Sequence, residues 1–402
     1  MKNPDTVIPY FISVAEATNI IRDNVPALIP VPLPLMQASA LTTAEPVYSP
    51  IDFPAWPQSS MDGYAIRFAE KAYPLRISGE IAAGATSGLK MDEKSAIRIF
   101  TGAPVPEGAD TVVMQEKVNV KDGSLHVEDP GLKEGDNLRR MGAEIRKGEL
   151  AVPSGTVITS RWIGFLSSLG ITSLLVYPPP SVSIILTGNE LLDPGNDLLF
   201  GQVYDANSAM LTDALYRSGV VTIHRFRADD ELDSVQSRLS EALEKSDLVL
   251  LAGGVSVGDY DFVIEAAKNC HIESLFYKVR QKPGKPLFFG KKKSTVIFGL
   301  PGNPASALTC FYIYVVQALD QMMSRQGHGR RINAKLSASY ARSGGLTHFL
   351  KARLTEGKVI LLQGQESFRL HSFAEANCLA EIPEDRTELR AGESLVVHLL
   401  PD

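Results

Sequence analysis

Three short apolar runs each end in a glycine-bearing polar turn, and no other feature of the chain restricts its fold as strongly. Residues 182–186, 248–251 and 296–298 read as buried strands. They lead into Thr187-Gly188-Asn189-Glu190, Gly253-Gly254-Val255-Ser256-Val257-Gly258 and Gly299-Leu300-Pro301-Gly302-Asn303-Pro304. Helical patterns separate them: 208–217, ended by Gly219; Leu232, Val235, Leu239 and Leu243 on one face behind the capping pair Asp229-Asp230; and a long apolar helix over 305–323. A further strand is expected over 220–226. Strand and helix in alternation predict an open, doubly wound, mostly parallel α/β sheet. All strand carboxyl ends of such a sheet share one edge, where ligands bind, so the three turns should converge. Glycine there permits unusual backbone angles and leaves N–H groups available to phosphate.

The rest of the chain has other periodicities. At 402 residues it is too long for one core. A helix is expected over 13–24, with Ser13 as N-cap and Glu16 completing a capping box. Residues 25–34 contain four prolines and must be extended. Short apolar runs broken by Gly and Pro from 44 to about 150 mark a β-rich domain. A second helix over 159–169 ends at Gly170, Pro178-Pro179-Pro180 marks a boundary, 325–331 is a basic linker, and 332–402 reads as a small β domain.

A formal net charge of -6 argues against broad nucleic-acid binding, which needs a basic face. Bound phosphate must then be held by local Lys, Arg and backbone N–H groups. Cys270, Cys310 and Cys378 are far apart and show no C-x-x-C spacing, which points to neither a zinc site nor a disulfide framework and fits a reduced, cytoplasmic protein. No apolar stretch is long enough for a membrane span.

Acids crowd the expected ligand edge: Glu190, Asp205, Asp259 and Asp261. Asp205 alone reads as a helix cap. Glu190, Asp259 and Asp261 together point to a hard cation such as magnesium, which takes one or two carboxylates and completes its shell with water and phosphate oxygens. Lys282-Pro283-Gly284-Lys285-Pro286 puts two ammonium groups on a proline-stiffened segment suited to an oxyanion. Lys291-Lys292-Lys293 reads as a solvated hairpin tip. In the β-rich region the polar loops are Ser59-Ser60-Met61-Asp62-Gly63-Tyr64-Ala65, the segment from Thr101 to Asp110, and Asn137-Leu138-Arg139-Arg140. Each of these alone is more often a structural turn than a site.

Taken in order, SMDGYA at 60–65, TGAPVPEGAD at 101–110, NLRR at 137–140, TGNEL at 187–191, GGVSVGDYD at 253–261, KPGKP at 282–286 and GLPGNPASA at 299–307 resemble the molybdopterin molybdenumtransferase family, which includes the C-terminal domain of gephyrin. The resemblance implies four domains: a linking domain from 1–47 and 142–177, a β-rich domain over 48–141, the α/β molybdopterin-binding domain over 178–327, and a β-barrel-like domain over 328–402. It implies a homodimer in transient contact with molybdopterin-handling enzymes. The implied reaction joins molybdate to the dithiolene of adenylylated molybdopterin and releases AMP with the help of magnesium. By resemblance, Glu190 and Asp261 hold metal and pyrophosphate. Gly253, Gly254, Ser256, Gly258 and Asp259 cradle phosphate. Lys285 and Ser306, with Lys282 beside them, bind molybdate near Pro301, Gly302 and Asn303. Arg139 and Arg140 add cations to the substrate site, and Asp62 and Thr101 come from the partner subunit. The family usually has Asp where this chain has Asn189, and commonly Asp where it has Glu144. Alternative readings are the adenylyltransferase of the preceding step, whose fold resembles the α/β domain, or a non-catalytic gephyrin-like scaffold.

Overall fold

A computed structural model describes residues 11–85, 90–253, 262–325 and 331–401. Contacts divide these into two compact units. One holds the described residues up to Val31, Ala40–Thr42, and those from Val176 onward; the other holds Pro32–Ser39 and Thr43–Leu175.

The first unit is built on a six-stranded sheet in the order Thr222–Ala228, Ser181–Thr187, Leu248–Ala252, Thr295–Leu300, Pro286–Lys292, Glu273–Lys278. The first four strands are mutually parallel and the last two are added antiparallel. Burial on both faces explains their unbroken apolar runs. One face packs with the 207–217 helix and the long helix after Pro304, the other with Leu232–Lys245 and Phe262–Asn269. Phe276, Phe289 and Phe298 cross the sheet as a row of rings with centroids 5.5 and 4.8 Å apart. Strand register fixes where the turns emerge. Leu186 lies opposite Ala252, and Ala252 opposite Leu300, so the three glycine turns leave the sheet at one level.

The expected helix after residue 304 forms, but in three parts: an α-helix Pro304–Cys310, a π-helical turn Phe311–Val315 and an α-helix Val316–Met322. The predicted capping pair Asp229-Asp230 does not cap through its side chains; Glu231 is the N-cap of Leu232–Lys245 and makes no side-chain cap. The Val14–Asn24 helix has the full capping box, with the Ser13 N–H donating to Glu16 Oε2 (2.7 Å) and the Glu16 N–H to Ser13 Oγ (3.2 Å). Its buried Ala17 and Ile21 pack it within the α/β unit, where Gln317 Nε2 donates to Thr18 O at 3.0 Å, whereas the sequence grouped it with 142–177. Lys291 is likewise not a free tip residue. It donates to Asn24 Oδ1 at 2.6 Å at the end of that helix, while Lys293 occupies the turn with φ 55°. The C-terminal segment closes five strands into a barrel: Thr347–Thr355 pairs with both Lys358–Leu361 and Cys378–Ile382, and Arg331–Leu336 and Ser394–Leu399 complete the ring.

The second unit carries a six-stranded sheet in the order Thr111–Met114, Gly63–Ile66, Ser95–Ile99, Leu75–Ile81, Ser124–Val127, Val118–Lys121. Its two faces cover separate apolar clusters, around Tyr64 and Leu75 on one side and Ala65 and Ile97 on the other. The predicted 159–169 helix is present as Ser160–Ser168, and Gly170 follows it with φ 76°. No helix among the described residues is long and apolar enough to cross a membrane. All three cysteines are free and buried.

Gly63 sits between two partner strands, and a β-carbon there would lie 2.0 Å from the Val113 carbonyl oxygen. No side-chain rotation relieves a clash with backbone. Gly63→Ala should therefore destabilise the second unit by roughly 3 kcal/mol, the upper range of overpacking. Limited proteolysis should show faster cleavage within 43–175, and parental protease resistance would contradict this reading.

Candidate active site

The level strand ends of the first unit build the site through close backbone approach. Gly253 has φ 99°, and a β-carbon on it would lie 2.4 Å from the Thr187 carbonyl oxygen. Only glycine fits, because both the angle and the space exclude a side chain. A β-carbon on Gly302 would in turn lie 3.7 Å from Gly253 Cα. The first and third turns thus approach each other through Gly253. Asn207 Nδ2 donates to Gly302 O at 2.8 Å and ties the first residue of the Asn207–Arg217 helix to the third turn. Asp205, expected as a cap, accepts from the Ser208 N–H at 2.9 Å. Buried at these strand ends, Thr187 Oγ1 and Asn207 Oδ1 have no hydrogen-bond partner among the described residues. A buried polar atom left unpaired costs about 1–3 kcal/mol, so this edge retains bonding capacity that a bound ligand can use.

Glu190 is exposed on the first turn, and its carboxylate folds back over Gly188. Asn189 is committed elsewhere: its Oδ1 accepts from the Asp230 N–H (3.2 Å), and its own N–H donates to the Asp230 carboxylate (3.3 Å). The amide therefore clasps the first turn to the loop after Thr222–Ala228. This pairing brings Asp230 to the first turn, a carboxylate that the sequence read only as a cap. Its signal was its position just past the end of a parallel strand, obscured because that turn lacks glycine. Gly254, Ser256, Gly258, Asp259 and Asp261 lie outside the described residues. Among the described residues no three His, Cys, Asp or Glu side chains gather into a metal-binding group.

The 282–286 loop is held from beneath by uncharged buried groups. Gln281 Nε2 donates to Pro283 O (3.1 Å) and Gly284 O (3.0 Å), and its Oε1 accepts from the Tyr314 hydroxyl. Tyr314 comes from the π-helical turn, a feature common at functional sites. Burial drives its hydroxyl pKa well above the usual value and pushes the Cys310 thiol up to about 12, so both stay neutral. Gly284 has φ 82°, and a β-carbon there would meet Cys310 Sγ at 2.5 Å and Ser306 O at 3.5 Å. The loop thus lies along the Pro304–Cys310 helix, in which Ser306 is buried; before it Pro301 is buried, and Asn303 is the N-cap residue with its Nδ2 on Ser367 Oγ (3.2 Å). Lys282 and Lys285 remain exposed, and Lys285 Nζ is 5.5 Å from the Phe11 ring centroid. Lys282 pairs in register with His348, whose pKa is lowered to about 4 by burial and by the cations Arg342 and Lys282. Gln281 and Tyr314 were not legible as site residues, since a buried amide and phenol are indistinguishable in sequence from ordinary core positions.

In the second unit the three polar motifs form one rim. The Ser59 N–H donates to Ala103 O, the Gly102 N–H to Ser59 O, and the Ser60 N–H to Asn137 O. Leu138–Arg139 pairs with Gln58–Ser59, leaving Arg139 and Arg140 exposed. Asp62 Oδ1 accepts from both the Thr101 N–H and the Thr101 hydroxyl at 2.8 Å. Those two bonds, aided by the charge of Arg98, hold its carboxyl below the usual range. Glu144 is exposed, with its backbone N–H on Phe53 O.

Comparison with known proteins covers most of the chain. Residues 12–170 match the MoeA N-terminal region (domain I and II), 183–321 the probable molybdopterin binding domain, and 333–400 the MoeA C-terminal region (domain IV). The chain belongs to the MoeA family of molybdopterin molybdenumtransferases. It is 33% identical over 400 residues to molybdopterin molybdenumtransferase 2 of Mycobacterium tuberculosis, covering 96% of this chain and 98% of the relative. It is 33% identical over 386 residues to the molybdopterin molybdenumtransferase of Haemophilus influenzae, covering 92% and 94%. The molybdopterin biosynthesis MoeA protein of Pyrococcus horikosii shares its fold with a TM-score of 0.84 and 30% identity, over 97% of this chain and 99% of that one. Full-length agreement favours this family over the single-domain adenylyltransferase reading.

The Asp62–Thr101 pair permits a titration test. A depressed folded-state pKa means that the interaction is fully present above the ordinary carboxylate range and is lost as pH falls through the folded value. Thr101→Val keeps the backbone donor and removes the hydroxyl. The Asp62 carboxyl, followed by NMR, should then titrate at higher pH than in the parent; an unchanged titration would contradict the assigned cause.

Proposed function

We propose that this member of the MoeA family inserts molybdate into the dithiolene of adenylylated molybdopterin at the carboxyl edge of its parallel sheet, releasing AMP. The observation that carries the reading is the pairing of two features on one unit: glycine turns approaching through Gly253, and two exposed lysines on a loop pinned beside Ser306. Gly253 and Gly302 permit backbone to approach phosphate closely, with Gly254, Ser256, Gly258 and Asp259 extending the cradle. Lys285 and Ser306, backed by Lys282, take the tetrahedral oxyanion, and Pro301 and Asn303 shape its edge. Gln281, Tyr314 and neutral His348 support or adjoin the loop and set no carboxylate of their own against the lysines. Asp62 and Thr101 would reach the substrate from the partner subunit, and Arg139 and Arg140 would add cations to the substrate site.

The oxygen-rich first turn suits a hard cation, which needs one or two carboxylates and otherwise water and phosphate oxygens. Glu190 and Asp261 would hold magnesium, with Asp230 close to the turn. Bound there, the ion would neutralise charge on the phosphoanhydride oxygens. Asn189 is engaged with Asp230 and therefore supports the turn. A reduced setting such as the cytoplasm agrees with three buried free thiols.

Molybdate-dependent AMP release from adenylylated molybdopterin tests the activity directly. Lys285→Ala should raise the molybdate concentration for half-maximal release about tenfold, a loss of about 1.4 kcal/mol, with a much smaller change in pterin affinity. Equal molybdate dependence in variant and parent would remove Lys285 from the oxyanion site.

We further propose a homodimer whose sites are completed across subunits, in transient contact with enzymes that supply or receive the pterin. Asp62→Asn and Glu190→Gln subunits, each inactive alone, should regain activity when mixed under conditions that exchange subunits. A monomer by sedimentation, or no recovery after demonstrated exchange, would overturn the shared site.

A further inference from the structure

The second unit contains a second built feature that the oxyanion and phosphate sites do not use. On the face of its sheet that covers Tyr64 and Leu75, a hollow of about 680 Å³ opens, lined by Tyr64, Ile77, Ser78, Glu80, Arg98 and Phe100. It is an open shelf rather than an enclosed cavity, and it can meet one face of a planar ring. Its floor is an aromatic and guanidinium stack: the Arg98 guanidinium carbon lies 5.0 Å from the Tyr64 ring centroid and 5.3 Å from that of Phe100. Arg98 Nη2 donates to Gln115 Oε1 at 2.5 Å, and the Gln115 N–H donates to Asp62 O at 3.1 Å. Arg98 is thus fixed in plane and coupled to the turn that carries Asp62.

A β-bulge places the complementary group. In the pairing of Leu75–Ile81 with Ser95–Ile99, Ile77 lies opposite Ala96 and Glu80 opposite Arg98, so three residues on one strand span two on the other. The extra residue shifts the alternation. Glu80, three positions after Ile77, therefore leaves the sheet on the same face as Arg98, two positions after Ala96. The two backbones lie at the spacing of neighbouring strands, about 4.8 Å, while the guanidinium leans away from Glu80, over Tyr64 and toward Gln115. No ion pair joins them among the described residues, which leaves one acceptor group and one donor group facing the hollow.

We propose that this hollow binds the pterin ring of the adenylylated substrate, an inference that rests on the function proposed above. The pterin edge carries two adjacent N–H donors, the 2-amino group and N3–H, followed by the C4 carbonyl acceptor. Glu80 accepts from both donors, Arg98 donates to the carbonyl, and the fused ring stacks on the guanidinium and Phe100. Adenine matches less well, since its single amino group is flanked by ring nitrogens that accept and would leave one Glu80 oxygen unpaired. Ring stacking here sets the orientation in which the rest of the substrate leaves past Asp62 and Thr101.

The test uses the full chain and two probes, 6-hydroxymethylpterin and AMP, each titrated against the parent, Glu80→Gln and Arg98→Leu. Glu80 is exposed, so its variant reports even if Arg98→Leu disturbs packing. The pterin Kd should rise about tenfold or more in both variants while the AMP Kd stays at the parental value. Three outcomes overturn the inference: no pterin binding by the parent, equal pterin Kd in parent and Glu80→Gln, or a loss confined to AMP, which would assign the hollow to adenine. Molybdate-dependent AMP release by the parent separates the two levels. If the parent turns over and its variants bind pterin normally, only the pterin shelf is wrong; if the shelf behaves as expected and the parent releases no AMP, the proposed reaction is wrong.

Discussion

The contact of Gly253 with Thr187 is the constraint on which the site in the α/β unit depends. Four parallel strands in level register deliver their carboxyl ends to one edge, but level ends alone leave the turns side by side rather than in contact. A β-carbon at position 253 would overlap the Thr187 carbonyl, and its absence lets the second turn close onto the first and abut Gly302 of the third. Asn207 then fastens the third turn to a helix, and Asn189 fastens the first to the loop bearing Asp230. Each fastening removes backbone freedom that binding would otherwise have to remove, which is how a rigid scaffold lowers the cost of holding a multiply charged substrate.

The lysine loop follows the same logic with different chemistry. Two ammonium groups close together repel, and a mobile loop would separate them. Buried Gln281 satisfies two carbonyls of the loop and is itself oriented by Tyr314 from a π-helical turn. Neutral partners suit the position, because a buried carboxylate would engage the lysines and occupy their charge. At Asp62 hydrogen bonds likewise lead: Thr101 supplies two of them, the charge of Arg98 adds to their effect, and the carboxyl is held below its usual range.

Much of the fold was legible in the residues. The capping box at Ser13 and Glu16, the helix ends at Gly170 and Gly219, and the apolar runs entering glycine turns each state a local preference that tertiary packing reinforced. Misreadings arose where a residue's local role and its tertiary role differ. Asp229 and Asp230 have the composition of a cap, yet Asp230 pairs with a turn 41 residues away in sequence. Lys291 sits in a run of three lysines beside a hairpin turn, yet the neighbouring helix end captures it. Short-range pattern cannot show either, since both contacts exist only after the sheet has formed.

Family and chemistry were therefore set by the sequence alone: seven motifs in order, three strand-to-glycine junctions and a proline-stiffened lysine pair identify the molybdenumtransferase architecture without coordinates. Only the tertiary structure decided which glycine bears the closest approach, that Gln281 and Tyr314 support the lysine loop, that Asn189 serves a turn, and that a bulge at Ser78 turns Glu80 toward Arg98. The physical reason is the range of the forces. Glycine, proline and apolar periodicity act on backbone angles and burial within a few residues, whereas a cradle or a donor–acceptor pair is a distance between segments, and distances between segments are fixed by register and packing.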